Sequence, residues 1–150
     1  MNKIETKNPI PIDQDFALWA AEQGALLRAG RFDRIDIENV AEEIESLARS
    51  DKYEIDSRME VLLQHLLKWQ FQPSRRTNSW KASIVEQRMR IGRLVAESPS
   101  LKSYPTVHLS GSFVIARGAA IDETGLPESV FPETCPYTIE QILDPAFLPD

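Results

Sequence analysis

From Ile37 to Trp69 apolar side chains return at helical spacing for far longer than in an ordinary helix. Ile37, Val40, Ala41, Ile44, Leu47 and Ala48 trace one stripe, and Ile55, Met59, Leu62, Leu66 and Trp69 resume it. Asp33 or Asp36 can cap the start, and the acids that follow suit the positive end of the helix dipole. Pro73 closes the run and pushes Gln72 out of helical geometry. The stripe falters only at Ser50-Asp51-Lys52, which marks either a bend or a stretch projecting past its neighbours. A helix of this length needs partners of the same period to cover its apolar side.

Those partners are legible on both sides. Pro9 and Pro11 make residues 1–12 an extended leader, and Asp13 can cap a first helix carrying Phe16, Trp19, Ala20, Gln23, Leu26 and Leu27. Gly30 stops it, and Phe32 and Ile35 lie in the connection, tucked under the helices. After Pro73, Ser and Asn in TNSW can start a third helix with Trp80, Ile84, Gln87, Ile91, Leu94 and Val95 on one face, stopped by Pro99. The segment around VHLSGSFVIA reads either way, because Gly111 and Gly118 weaken a helix and its β-branched residues suit a strand. Five prolines make residues 127–150 an extended tail that packs on the rest, with one turn at TIEQIL. The expected fold is all-α, an antiparallel helical bundle of three to four main helices in one domain spanning 1–150.

Composition limits the classes of function. The 42% hydrophobic and 27% charged residues describe a globular chain, and no apolar run nears the ~18 residues that cross a bilayer, so no membrane partner is expected. MNKIETKNPIPIDQ has no apolar core of a signal peptide, and the lone Cys135 suits a reducing compartment, so a cytoplasmic location is expected. Charge is divided unevenly. Residues 33–60 hold ten acids against four bases, whereas 68–93 hold seven bases against Glu86 alone. Either the two segments lie together or the basic one is a face for a partner, and Glu42, Glu43 and Glu45 either form a solvated face or meet Arg88, Arg90 and Arg93.

The long blocks DFALWAAEQGALLRAGRFDRIDIENVAEEIESLARSDKYEIDSRMEVLLQHLLKWQFQP, RRTNSW, QRMRIGRLVAESPSL and FPETCPYTIEQILDPAFLPD resemble the bacterial family called domain of unknown function 29. That resemblance covers nearly the whole chain and implies an all-helical fold, but it brings no catalytic residues. TVHLSGSFVIARGAA is apolar and glycine-bearing where the family usually has a charged helical segment, which predicts a last helix that is frayed, shortened or packed against something else.

Chemistry must therefore be read from side chains. Arg58 and His65 fall within ~20° of one helix face, and their R-x6-H spacing resembles the signature of the all-helical HEPN ribonucleases, which need no metal. In that reading His65 moves a proton and Arg58 steadies a phosphate, while the plain reading makes Arg58 a partner of Glu54 and His65 a core-edge residue. Lys68, Arg75 and Arg76 around Trp69 and Trp80 combine phosphate-seeking charge with aromatic planes, a mix suited to single-stranded nucleic acid. Alternatively, both tryptophans hold the corner at Pro73 together. No metal site is expected, since neither His65 nor His108 has a glutamate three residues before it, and no cofactor motif is present. The leading expectation is a non-enzymatic protein-interaction or oligomerisation module that forms a homodimer, with Phe113-Val114-Ile115 offering surface; a ribonuclease and a nucleic-acid binder are the alternatives.

Overall fold

A computed structural model describes residues 9–150, so the first eight residues of the expected leader lie outside it. The described residues are α-helical without a strand: α1 (Phe16–Arg28), α2 (Ile37–Phe71), α3 (Asn78–Glu97), α4 (Tyr104–Val107), α5 (Leu109–Thr124) and α6 (Ile139–Leu143). They divide into two compact units, one ending at Arg49 and one running from Ser50 to Asp150. α2 contributes to both units, and the division falls where its apolar stripe falters, beside Ser50-Asp51-Lys52.

In the first unit Pro11–Gln14 forms a turn, with the Gln14 amide donating to the Pro11 carbonyl. Consequently Asp15, not Asp13, caps α1, its carboxylate accepting from the Leu18 amide at 3.0 Å. At the other end Gly30 adopts φ +68°, a left-handed conformation that costs glycine nothing. The amides of Gly30 and Arg31 then return to the carbonyls of Leu27 and Leu26. The connection to α2 is pinned by side chains: Trp19 Nε1 and Asn39 Nδ2 both donate to Asp36 Oδ2, while Gln23 Oε1 accepts from the Asp36 amide. Asn39, foremost, and Trp19 hold the Asp36 carboxyl below its ordinary pKa.

Trp19 and Gln23 are the buried residues of α1, and α2 has none before Ile55. Ile44 and Leu47, expected inside, are 62% and 69% exposed, and Phe16, Leu27 and Phe32 are exposed too. The periodicity located an apolar face correctly, but a two-helix hairpin has too few layers to cover one.

The second unit holds the core. Ile55, Met59, Leu62, Leu63, Leu66 and Leu67 of α2 cluster with Ile84 and Ile91 of α3 and with Phe113, Ala116 and Ala120 of α5. The ambiguous 104–121 stretch is helical throughout apart from a break at His108, and α5 stops at Gly125, whose φ is +67°. Phe113 is buried, leaving Val114 and Ile115 as the exposed part of the expected surface.

The residues after 127 are more structured than an extended segment: a 3-10 turn at Glu128–Val130 precedes α6, which a full capping box at Thr138 and Gln141 starts. Phe131, Tyr137 and Ile142 lie in the same core. Two arginines hold this segment. Arg117 donates to the carbonyls of Glu128, Phe131 and Pro132, and Arg88 donates to those of Gln141 and Ile142. Arg88 therefore does not serve the acidic face expected for it, because it sits on the buried face of α3 between Gln87 and Ile91. Arg90 pairs with Glu86 one turn back, and Glu42 and Glu45 pair with Arg49 on their own helix.

Candidate functional site

The proline stop at Pro73 generates a corner. After α2 ends, a 3-10 turn spans Pro73–Arg75, and Thr77 caps α3 by accepting from the Trp80 amide at 3.2 Å. Thr77 takes the role expected of its serine and asparagine neighbours. This chain reversal places Lys68, in the last turn of α2, beside Trp80, in the first turn of α3. Lys68 Nζ lies 4.3 Å from the centre of the Trp80 ring, close enough for a cation–π attraction.

Lys68 is the unusual member. Its side chain is 2% exposed, and its ammonium donates to Glu123 Oε1 at 2.6 Å. Burying a lysine costs several kcal/mol in desolvation, which an ion pair only partly offsets. Glu123 comes from the last turn of α5, is 52% exposed, and also accepts from Gln64 Nε2. The Lys68 hydrogen bond, opposed by partial burial, holds the Glu123 carboxyl below the usual glutamate range. Lys68, Glu123 and Trp80, with Gln72, Arg75, Thr77 and Thr124, line an open cavity of about 380 Å³.

The other sequence candidates gather unevenly around this corner. Arg75 lines the cavity and has no acidic partner among the described residues. Arg76 stacks 4.9 Å from the Trp69 ring centre and donates from Nε to the Trp69 carbonyl, so this pair stiffens the turn. His65 bonds through Nδ1 to the Val61 carbonyl at 2.8 Å. A carbonyl only accepts, so Nδ1 carries the proton and the neutral ring keeps Nε2 as a lone pair. Burial, foremost, pushes the His65 pKa below its usual 6.5. Arg58 reaches elsewhere, donating to Gln87 Oε1 at 3.2 Å and to Glu54 Oε1 at 3.5 Å. His65 and Arg58 thus have separate partners. Among the described residues no group of three or more histidine, cysteine, aspartate or glutamate side chains is placed to hold a metal ion.

Glu123, the missed member, lies 55 residues from Lys68 in a stretch that reads ambiguously, and nothing local marks it as a partner. Thr77 was legible in principle as a helix cap.

A second feature belongs wholly to the first unit. α1 and the start of α2 flank two adjoining apolar grooves of about 290 and 280 Å³, sharing Leu27, Val40 and Ile44. Gln23 lines the first groove, and its Nε2 is buried without a hydrogen-bond partner. Reversing the amide would set Nε2 against the Asp36 amide, so one of its donors stays unmet in either orientation.

No helix among the described residues is long and apolar enough to cross a membrane. A family model described as a domain of unknown function matches residues 12–148. No curated protein and no solved structure matches the chain.

Proposed function

Because the chain belongs to the DUF29 family, whose description assigns no activity, we propose its function from its surfaces: a non-enzymatic protein-interaction module that self-associates through the α1–α2 hairpin. The observation that carries this reading is the apolar groove of the first unit, left open by exposed Ile44 and Leu47. A groove flanked by two helices suits an amphipathic helical occupant. A second copy of the hairpin supplies one with the same period, and a two-fold pairing of identical patches closes four helices around one core. The unmet Gln23 donor would then meet an acceptor on the partner. An antiparallel bundle for residues 50–150 accompanies this reading, supported by the order of contacts: Lys68 meets Trp80 while the earlier Arg58 meets the later Gln87. A cytoplasmic setting fits the single cysteine.

Sedimentation equilibrium tests the self-association. The expected mass rises from one chain toward two as concentration increases through the micromolar range. An Ile44→Glu/Leu47→Glu double variant should remain a monomer with unchanged helical circular dichroism, since both positions are exposed in the single chain. A wild-type protein that stays strictly monomeric at several hundred micromolar overturns the proposal.

A further inference from the structure

The corner cavity has no part in that self-association, yet its chemistry is that of a binding site. Lys68 is fixed: its side chain is 2% exposed and its ammonium lies against Trp80. Glu123 is half-exposed in the last turn of α5 and lines the same cavity, its two oxygens taken by Lys68 and Gln64. The pair is therefore asymmetric, with a buried cation and a half-exposed anion. Arg75 stands at the same cavity without an acidic partner among the described residues, so the lining carries one positive charge beyond the Lys68–Glu123 pair. Thr77 offers a hydroxyl, and its residue begins the positive end of a 20-residue helix.

We propose that this cavity binds the phosphate group of a ligand, with the Glu123 carboxylate occupying the Lys68 ammonium until the phosphate displaces it. A dianionic phosphate monoester, or two successive phosphodiesters of a strand, neutralises Lys68 and Arg75 together, which a single carboxylate cannot, and the several acceptor oxygens suit an ammonium, a guanidinium fork and a hydroxyl at once. The volume, about 380 Å³, exceeds that of a bare phosphate and falls in the range of small-molecule sites. The Trp80 ring gives the attached organic part an apolar wall.

Calorimetric titration at fixed ionic strength, with inorganic phosphate, adenosine 5′-monophosphate and a single-stranded oligonucleotide as separate probes, tests this directly. Saturable binding of at least one probe is expected, and the probe that binds best identifies the source of the phosphate. Arg75→Ala, at an exposed position where folding is not at risk, should weaken binding about tenfold, the equivalent of one charge-assisted hydrogen bond. Glu123→Gln keeps an acceptor for Lys68 but removes the competing charge, so it should bind the same probe more tightly than wild type. Circular dichroism of each variant separates loss of binding from loss of fold. No saturable binding by either wild type or Glu123→Gln overturns the site. An Arg75→Ala protein that binds like wild type overturns it as well, and weaker binding by Glu123→Gln overturns the displacement.

Discussion

At the scale of single residues, His65 and Glu123 make the second unit lose stability in acid, opposed by Glu60, whose carboxyl is pushed above its ordinary pKa by burial. His65 and Glu123 both have folded-state pKa values below their ordinary 6.5 and 4.5, His65 chiefly because burial disfavours its cation and Glu123 chiefly because Lys68 donates to its carboxylate. A depressed folded pKa means that the unfolded chain takes up protons first. Stability is then fully present above the unfolded value and is lost as pH falls toward the folded one. His65 therefore acts as pH drops below 6.5, and Glu123 only below 4.5, where its protonation leaves the Lys68 ammonium buried without a counter-charge. Urea unfolding at pH 7.5, 5.5 and 3.5 should show wild-type stability declining across both intervals. His65→Gln should flatten the first interval specifically. A first-interval slope unchanged by that substitution would assign the loss to other groups.

Among the secondary-structure elements, the long helix was plain from sequence because its stripe repeats over many turns, and α3 was plain because proline bounds both of its ends. The last third was not. In α5 a glycine at 111 and another at 118 lower helix propensity, but Phe113, Ala116 and Ala120 are buried, and this packing overrides the local preference. Likewise the charge pattern left open whether the basic helix meets acids or a partner, and Arg88 does neither, giving its guanidinium to backbone carbonyls of the C-terminal segment. Sequence spacing reports which face a residue occupies, not which distant element arrives there, so Glu123 and the α6 carbonyls stayed hidden. The Arg88 contacts can be weighed. Arg88→Met roughly preserves volume but removes the donors to the Ile142 and Gln141 carbonyls, leaving the Ile142 carbonyl without its side-chain donor beside the core. Chemical denaturation should register a loss of ~2–4 kcal/mol, by analogy with other charged hydrogen bonds removed from buried acceptors. Proteolysis near residues 132–138 should quicken in parallel. A cost below ~0.5 kcal/mol would mean that apolar contacts alone hold α6.

At the scale of the molecule, stability is concentrated in one of the two units. Leu62, Leu63, Leu66 and Leu67 are fully buried, whereas among the described residues the first unit buries only Trp19 and Gln23 and leaves Phe16, Leu27, Ile44 and Leu47 exposed. Amide exchange reads such differences, since groups with few buried contacts around them open locally without waiting for global unfolding. In dilute protein the amides of α1 should exchange much faster than those of residues 62–67, and protection along α2 should climb after Ser50. Raising concentration then separates an intrinsically loose hairpin from one that lacks its partner. If two hairpins close on each other, exchange in α1 and residues 37–48 slows as dimer forms, because opening now requires dissociation, while residues 62–67 keep their rates. Concentration-independent exchange in the hairpin would show that its apolar face is not closed by a second copy, whereas equal protection of both units at low concentration would show that the hairpin is stable alone.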